Sequence, residues 1–150
     1  MVLDLKYHGQ TRLVEPLGHV LAKCVATDPR LTGIHLDALV PAPLHPVRFR
    51  DRGFNQAALI ADVLSNELQI PVIDYLLRTR YTSTQTARDR TERMENLKGA
   101  FSLRQGKSVR GMNLLIVDDV FTTGSTIEAC ARVLKKEGAK FIGGATLARG

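Results

Sequence analysis

Apolar side chains recur at helical spacing in three parts of the chain, and each set would lie on one face of a helix. The first set predicts a helix that ends at about Ala26, with Pro16 limiting how early it begins; its members are Leu13, Leu17, Val20, Leu21 and Cys24. The second predicts a helix ended by Pro71; its members are Phe54, Ala57, Ala58, Ala61, Leu64 and Leu68. The third predicts a helix over residues 126–137 that stops at Gly138; its members are Ile127, Cys130, Ala131 and Leu134.

Short apolar runs between these helices are typical of strands, and they cover residues 36–42, 72–77, 113–117 and 139–147. A turn over residues 28–33 precedes the first run, and Pro41 and Pro43 end it. The polar, threonine-rich residues 80–98 predict a loop followed by a short helix near residues 90–97. Strands that alternate with helices favour an α/β fold, in which a parallel sheet is covered on both faces.

Composition narrows the class of protein. A chain of 150 residues with 44% hydrophobic content predicts one domain with its own core. Neither a membrane span nor a signal peptide is predicted, because no apolar run approaches 18 residues and the first ten residues include an acid. A cytoplasmic protein is the simplest interpretation. Cys24 and Cys130 are far apart and outside any CxxC motif, so we expect two small buried hydrophobic residues rather than a disulfide or a zinc site.

The positive charge is concentrated in one segment. Between Arg78 and Arg110 there are nine basic residues against three acids, an excess of +6 that equals the net charge of the whole chain. The basic residues are Arg78, Arg80, Arg88, Arg90, Arg93, Lys98, Arg104, Lys107 and Arg110. This pattern indicates contact with phosphates, of a small ligand or of nucleic acid. A solvated face is an equal alternative on composition alone.

Two acids and four hydroxyl side chains follow the strand predicted at residues 113–117. Asp118 and Asp119 end the strand, residues 121–125 form the predicted turn, and a helix then begins. Amide groups at the start of a helix bind anions, and hydroxyls add donors; those hydroxyls belong to Thr122, Thr123, Ser125 and Thr126. The carboxylates would repel a phosphate unless they hold sugar hydroxyls or a divalent metal. The pattern therefore predicts a sugar phosphate site, with turn-capping acids as the plain alternative.

Other phosphate motifs do not fit. Gly106, Lys107 and Ser108 resemble the end of a Walker A loop, but Phe101 stands where that motif needs its first glycine. No GxGxxG motif follows a predicted strand. A phosphoacceptor receiver domain would need its acidic pair earlier in the chain.

The stretch LLIVDDVFTTGST, residues 114–126, resembles the signature of type I phosphoribosyltransferases, which bind 5-phosphoribosyl-1-pyrophosphate. Three further stretches resemble the ComF family of competence-associated phosphoribosyltransferase-like proteins in order and spacing: VPAPLHPVRFRDRGFNQAALIADVL, RTRYTSTQTARDRTERMENLKGAF and the final TLAR. The resemblance covers nearly the whole chain. It implies the type I phosphoribosyltransferase fold, a mostly parallel sheet flanked by helices, with a small hood near residues 1–35.

The resemblance also implies roles for individual residues. Asp118 and Asp119 would bind the ribose hydroxyls, take part in catalysis and bind Mg2+. The 5-phosphate would be held by the residues from Thr122 to Thr126, which are Thr122, Thr123, Gly124, Ser125 and Thr126. Val120 and Phe121, which precede them, would also contact the substrate. Pro43, Leu44 and His45 would approach the pyrophosphate, with Arg48 and Arg52 supplying positive charge. Arg78, catalytic Arg80 and residues 81–86 would form a lid that excludes water.

Some features weaken parts of this interpretation. Thr122 stands where some purine-salvage members place an aspartate that serves as a general base, so the acceptor stays unidentified. His45 is as well explained by a turn, and Asn55 and Gln56 by a helix cap and start. The cysteine-rich zinc-binding segment that precedes this domain in many ComF-family proteins is missing, so this member lacks it or the sequence has been trimmed.

Two functions remain. One is Mg2+-dependent phosphoribosyl transfer to a nitrogen acceptor. The other is a non-catalytic ribosyl-phosphate or single-stranded DNA binding module that partners a helicase-like competence ATPase in DNA uptake. A homodimer is a further possibility, and no membrane partner is expected. Aromatic content of 5%, with Tyr81 the one aromatic of the predicted lid, gives little support to base stacking.

Overall fold

The computed structural model describes residues 14–44, 55–79, 99–121 and 125–149. These residues form three helices and five strands. The helices are α1 (Val14–Thr27), α2 (Gln56–Leu68) and α3 (Ser125–Lys136). The strands are β1 (Ala38–Pro41), β2 (Leu76–Arg78), β3 (Phe101–Leu103), β4 (Asn113–Phe121) and β5 (Phe141–Arg149). Within these ranges no helix is long and apolar enough to cross a membrane.

The main sheet is parallel, with strand order β1-β4-β5. Leu115 in the central strand β4 pairs with Leu39 in β1 and Gly143 in β5. Val72 forms an isolated parallel bridge to Leu39 and so extends the sheet beyond β1. Strands β2 and β3 form a separate antiparallel pair. The predicted α/β architecture, a mostly parallel sheet flanked by helices, is therefore confirmed.

Side chains of β4 alternate between two hydrophobic layers, as strand geometry requires. Leu114 and Ile116 lie in a layer with the buried residues Cys130 and Leu134 of α3 and with Phe101 of β3. The opposite face contributes to a second layer with α1 and α2; its β4 members are Leu115 and Val117. Both faces of the sheet are thus covered, and the central strand is buried from residue 114 to residue 117.

Helices α1 and α2 approach each other closely at Gly18. A Cβ atom added there would lie 2.6 Å from Cγ1 of Val63, well inside van der Waals contact. The buried stripe of α1 follows from this approach and consists of Val14, Gly18, Leu21, Ala22 and Val25. Val20 is 61% exposed, and Cys24 is exposed as well. The prediction that both cysteines are buried is therefore wrong for Cys24 and correct for Cys130.

Several element boundaries differ from the sequence prediction. Helix α2 ends at Leu68, where Gln69 adopts a left-handed conformation with φ of 55°, so the helix stops before Pro71. The predicted strand over residues 72–77 is instead a single bridge at Val72 and the short strand β2. Strand β3 was not predicted. Gly138, with φ of 95°, donates its N–H to the carbonyl of Lys135, which confirms it as the stop of α3.

Some predictions lie outside the described residues, namely the loop over 80–98 and its short helix near 90–97. A hood near residues 1–35 stays a prediction.

Candidate functional site at the carboxyl edge of the sheet

The carboxyl ends of β1 and β4 lie side by side, and the chain leaves them in opposite directions. From β1 the chain passes through α2 to Val72, which pairs on the outer side of β1. From β4 it passes through α3 to β5, on the other side of β4. In open α/β sheets, such a reversal leaves a crevice outside the carboxyl ends of the two strands, and ligands bind there.

The β1 side of the crevice is held by a chain of hydrogen bonds through Asn55. Ala42 donates its N–H to the carbonyl of Val117 in β4 at 2.9 Å. Asn55 donates from Nδ2 to the carbonyl of Ala42 at 3.1 Å, and its Oδ1 accepts the N–H of Ala57 at 3.0 Å. One side chain therefore caps α2 and fixes the segment that leads into Pro43 and Leu44, both of which are half-buried.

The β4 side of the crevice carries the acidic pair. The prediction that a strand would end at residue 117 is wrong, because β4 continues to Phe121 and includes both acids. Asp118 is half-buried and falls on the α3 face, while Asp119 is 9% exposed and falls on the α1–α2 face by strand alternation. The N–H of Asp119 donates to Oδ1 of Asp118 at 2.9 Å, which orients that carboxylate.

Gln56, like Asp119, has a buried polar side chain. Among the described residues, Gln56 and Asp119 are the two polar side chains classed as buried, at 2% and 9% exposed. Gln56 begins α2 directly after the β1 loop. Burying a polar group is costly unless it is hydrogen-bonded, and both side chains take part in interactions within the structure. Gln56 was predicted only as the start of a helix, although it lies in the RGFNQA stretch that carries the family resemblance.

The α3 face of the crevice contains a small charged group around Cys130. The guanidinium of Arg78 lies 5.4 Å from the ring centroid of Phe101, its partner across β2 and β3. Burial raises the pKa of the Cys130 thiol well above its ordinary range; the charge of Asp118 raises it further and that of Arg78 opposes this. Asp118 and Arg78 therefore both lie near the Cys130 thiol. Sequence spacing gave no signal for this grouping.

The remaining predicted site residues divide into two sets. Val120 and Phe121 are near the end of β4, Ser125 is the first residue of α3, and Thr126 is half-buried in its first turn. The predicted turn over 121–125 is therefore too long, because its first residue is in the strand and its last is in the helix. Predicted residues outside the described part of the chain are His45, Arg48, Arg52, Arg80, residues 81–86, Thr122, Thr123 and Gly124.

The described residues contain no group of three or more His, Cys, Asp or Glu side chains that could hold a metal ion. Asp118 and Asp119 also project to opposite faces of β4. Mg2+ is commonly bound by one or two carboxylates together with substrate phosphates, without a cage made of protein alone. Asp118 and Asp119 fit this arrangement, in which one or two carboxylates and a bound diphosphate share the metal.

Comparison with known protein families decides the class. The family model described as phosphoribosyl transferase domain matches residues 55–150, well over half of the chain. The chain belongs to the phosphoribosyltransferase family. The matched region begins with Asn55 and Gln56 and contains the acidic pair of β4, whereas β1 itself precedes it.

Curated relatives confirm the resemblance to the ComF family. The chain is 34% identical over 145 residues to Competence protein F of Haemophilus influenzae, covering 95% of this chain and 63% of that protein. It is 37% identical over 141 residues to the DNA utilization protein YhgH of Escherichia coli K12, covering 93% of this chain and 61% of that protein. The chain therefore spans just over three fifths of the length of these relatives.

Solved structures show the same fold at lower identity. A purine phosphoribosyltransferase from Pyrococcus horikoshii matches with a TM-score of 0.52 and 23% identity, over 91% of this chain and 72% of that one. Adenine phosphoribosyltransferase from Saccharomyces cerevisiae matches with a TM-score of 0.58 and 12% identity, over 89% of this chain and 68% of that one. These matches support the type I phosphoribosyltransferase fold alone.

Proposed function

We propose that this domain binds 5-phosphoribosyl-1-pyrophosphate in the crevice between β1 and β4 and transfers its phosphoribosyl group to a nitrogen acceptor. One observation carries the proposal. The acidic pair lies near the carboxyl end of the central strand, a few residues before α3 begins at Ser125 and beside the point where the chain reverses direction. This edge presents carboxylates to sugar hydroxyls and helix amides to a phosphate.

In this proposal each part of the ligand meets a different part of the edge. The ribose hydroxyls donate to Asp118 and Asp119, and the 5-phosphate lies against the start of α3, with Thr126 and the preceding signature residues. The pyrophosphate lies toward Pro43 and Leu44. Asn55 supports that side indirectly, because it fixes the carbonyl of Ala42.

During transfer, the bond between the ribose C1 and the pyrophosphate oxygen breaks, and its electron pair leaves with pyrophosphate. The nitrogen lone pair of the acceptor forms the new bond to C1, and the acceptor then loses a proton. Mg2+, when bound with the diphosphate, would neutralise charge on the leaving group. The carboxylates of Asp118 and Asp119 orient the sugar and stabilise the positive charge that develops on it.

A second candidate is a binding module that retains the ligand without turnover. Thr122 favours it, because a threonine at this position is a poor general base. The names of the curated relatives, competence and DNA utilization proteins, support a DNA uptake role under either candidate. In that role the domain would work beside single-stranded DNA and a helicase-like ATPase.

The decisive experiment is calorimetric titration with 5-phosphoribosyl-1-pyrophosphate, with and without Mg2+, followed by assays of pyrophosphate release with candidate acceptors. We expect binding that strengthens with Mg2+. Asp118→Asn and Asp119→Asn should each weaken it by at least tenfold, because loss of a charged hydrogen-bond acceptor costs about 1.5–3 kcal/mol.

The matched control is Asp62→Asn, which makes the same chemical change at an exposed position on α2. It should bind like the unaltered protein. Pyrophosphate release that depends on an acceptor would establish the transferase, and binding without release for every acceptor would favour the module. Absence of binding, or equal binding by all three variants, would contradict the proposed site.

A further inference from the structure

Two turns at the amino edge of the main sheet are strongly basic. Residues 105–112 precede β4, and residues 135–140 comprise the last two residues of α3 and the turn into β5. Together they hold one acid, Glu137, and five cations, which we call the basic edge: Lys107, Arg110, Lys135, Lys136 and Lys140. These two short turns therefore carry a net charge of +4.

Backbone contacts join the two turns into one surface. Gly111 donates its N–H to the carbonyl of Gly138 at 2.8 Å, and Lys140 donates to the carbonyl of Met112 at 2.8 Å. Gly138 lies so close to Arg110 that an added Cβ would be 3.5 Å from the Cα of that arginine. The cations of both turns therefore share one continuous edge.

All five cations are exposed, and none forms a salt bridge with a carboxylate anywhere in the described ranges. Neighbouring cations behave differently: Arg104 pairs with Asp74 at 3.2 Å, and Arg132 pairs with Glu128 at 3.4 Å. Lys135 and Lys136 complement the carbonyl end of α3. Lys107, Arg110 and Lys140 lie outside any helix, so the helix dipole does not account for them. The ammonium of Lys107 lies 5.2 Å from the ring centroid of Tyr75, so Arg110 and Lys140 are the cations that the test below replaces.

The basic edge is far from the proposed ligand crevice. Six residues of β4 separate Asn113 from Asp119, a distance of about 20 Å at roughly 3.3 Å per residue. This exceeds the Debye length of about 8 Å at physiological ionic strength. The basic segment from Arg78 to Arg110 therefore contributes to two separate ends of the domain. Arg78 lies at one end, and the 105–112 turn lies at the other.

We propose that the basic edge binds the phosphate backbone of single-stranded DNA, at a surface distinct from the crevice. Exposed cations without carboxylate partners are available to a polyanion, and releasing its counterions drives association. Lys107, Arg110 and Lys140 lie on short turns, and Lys135 and Lys136 lie at the carbonyl end of α3, so the cations do not line one face of a helix or β-ribbon that would enter a duplex groove. A flexible single strand can follow them. This deepens the DNA-related part of the proposed function and rests on it, but not on the sugar phosphate site.

The test measures how binding of a fluorescent oligothymidylate to the full chain changes with KCl concentration, by fluorescence anisotropy. For single strands, the logarithm of the association constant falls with the logarithm of salt concentration by about 0.7 for each phosphate contact. We expect Arg110→Gln with Lys140→Gln to reduce this slope by about 1.4. The charge-matched control, Lys23→Gln with Arg132→Gln, should leave the slope unchanged, and urea midpoints check that both variants fold.

Each other outcome overturns the proposal. The salt slope would contradict it if the edge variant left the slope unchanged or if the control variant reduced the slope equally. Binding itself would contradict it if the oligothymidylate did not bind at low salt or if duplex DNA bound more tightly. Polyglutamate that competed for the protein as well as DNA does would indicate an acidic protein partner instead. Asp119→Asn separates this proposal from the previous one. It should bind 5-phosphoribosyl-1-pyrophosphate at least tenfold more weakly and keep the DNA slope, so either site can fail without the other.

Discussion

The two hydrogen bonds of Asn55 allow its roles in stability and in the crevice to be separated. Its Oδ1 caps α2 by accepting from Ala57, and its Nδ2 holds the carbonyl of the buried residue Ala42. Asn55→Ala removes both contacts. Asn55→Asp keeps the acceptor and removes only the donor, so it serves as a matched comparison.

The expected magnitudes follow from these contacts. Loss of the cap costs about 1 kcal/mol, and a carbonyl left without its donor costs about 1–3 kcal/mol. Asn55→Ala should therefore destabilise the fold by about 2–4 kcal/mol. For Asn55→Asp we expect about 0.5–2.5 kcal/mol, because only the donor is lost and a negative charge at the start of a helix returns about 0.5 kcal/mol. Urea unfolding followed by circular dichroism measures both values, with the m-value as a check on two-state behaviour.

Binding of 5-phosphoribosyl-1-pyrophosphate provides the second measurement. Both variants release the segment that leads into Pro43 and Leu44, so both should bind more weakly, although only the alanine variant loses the cap. An Asn55→Ala protein within about 0.5 kcal/mol of the unaltered protein would refute the structural reasoning, since ordinary surface substitutions fall in that range. Equal destabilisation by alanine and aspartate would refute the assigned cap.

Three further predictions concern the rest of the fold. Gly18→Ala should destabilise the fold by about 1 kcal/mol, because overpacking against Val63 outweighs the gain of about 1 kcal/mol in helix propensity. In a Val63→Ala background the same change should stabilise the fold. Urea midpoints of the unaltered protein, the two single variants and the double variant decide the sign. A thiol reagent should label Cys24 in the native protein and Cys130 only after unfolding, because burial keeps the second thiol protonated and inaccessible. The pKa of Asp28 is held at about 2, below its ordinary 3.8, chiefly by a side-chain hydrogen bond from the guanidinium of Arg30. The stabilising effect of the ionised carboxylate is therefore complete above pH 4 and is lost toward pH 2. The difference in urea midpoint between Asp28→Asn and the unaltered protein should shrink over that interval.

Helix α1 shows what hydrophobic periodicity predicts well and what it misses. The pattern located the helix and its end within one residue. It placed the buried stripe on Val20 and Cys24, whereas the true stripe runs through Gly18 and Ala22. Close packing against Val63 selects small residues, which a search for large apolar side chains does not count. The face of a helix that lies against a neighbour is therefore a tertiary property.

The short strands illustrate a second limit. Strands β2 and β3 have three residues each and lie outside the main sheet, so their alternation is too short to define them. Strand β2 overlaps only the end of the run predicted at residues 72–77, and β3 was not predicted. The position of the acidic pair near the carboxyl end of β4 was predictable, because a buried apolar run leads straight into it. The proximity of Arg78 and Asp118 to Cys130 was not, since it depends on how the β2–β3 pair packs against α3.

The alternation of β4 has a consequence for how its length can vary. Neighbouring side chains of β4 project in opposite directions, so inserting or deleting one residue between Leu115 and Asp118 would exchange the surroundings of the two carboxylates. The same change would turn the apolar side chains of the strand away from the hydrophobic layers in which they pack. Only changes of two residues would preserve the pattern, and these would move the acids by about 7 Å relative to the neighbouring strand ends. The spacing between the core and the acidic pair is therefore fixed by geometry, so length variation in this domain should be confined to its loops.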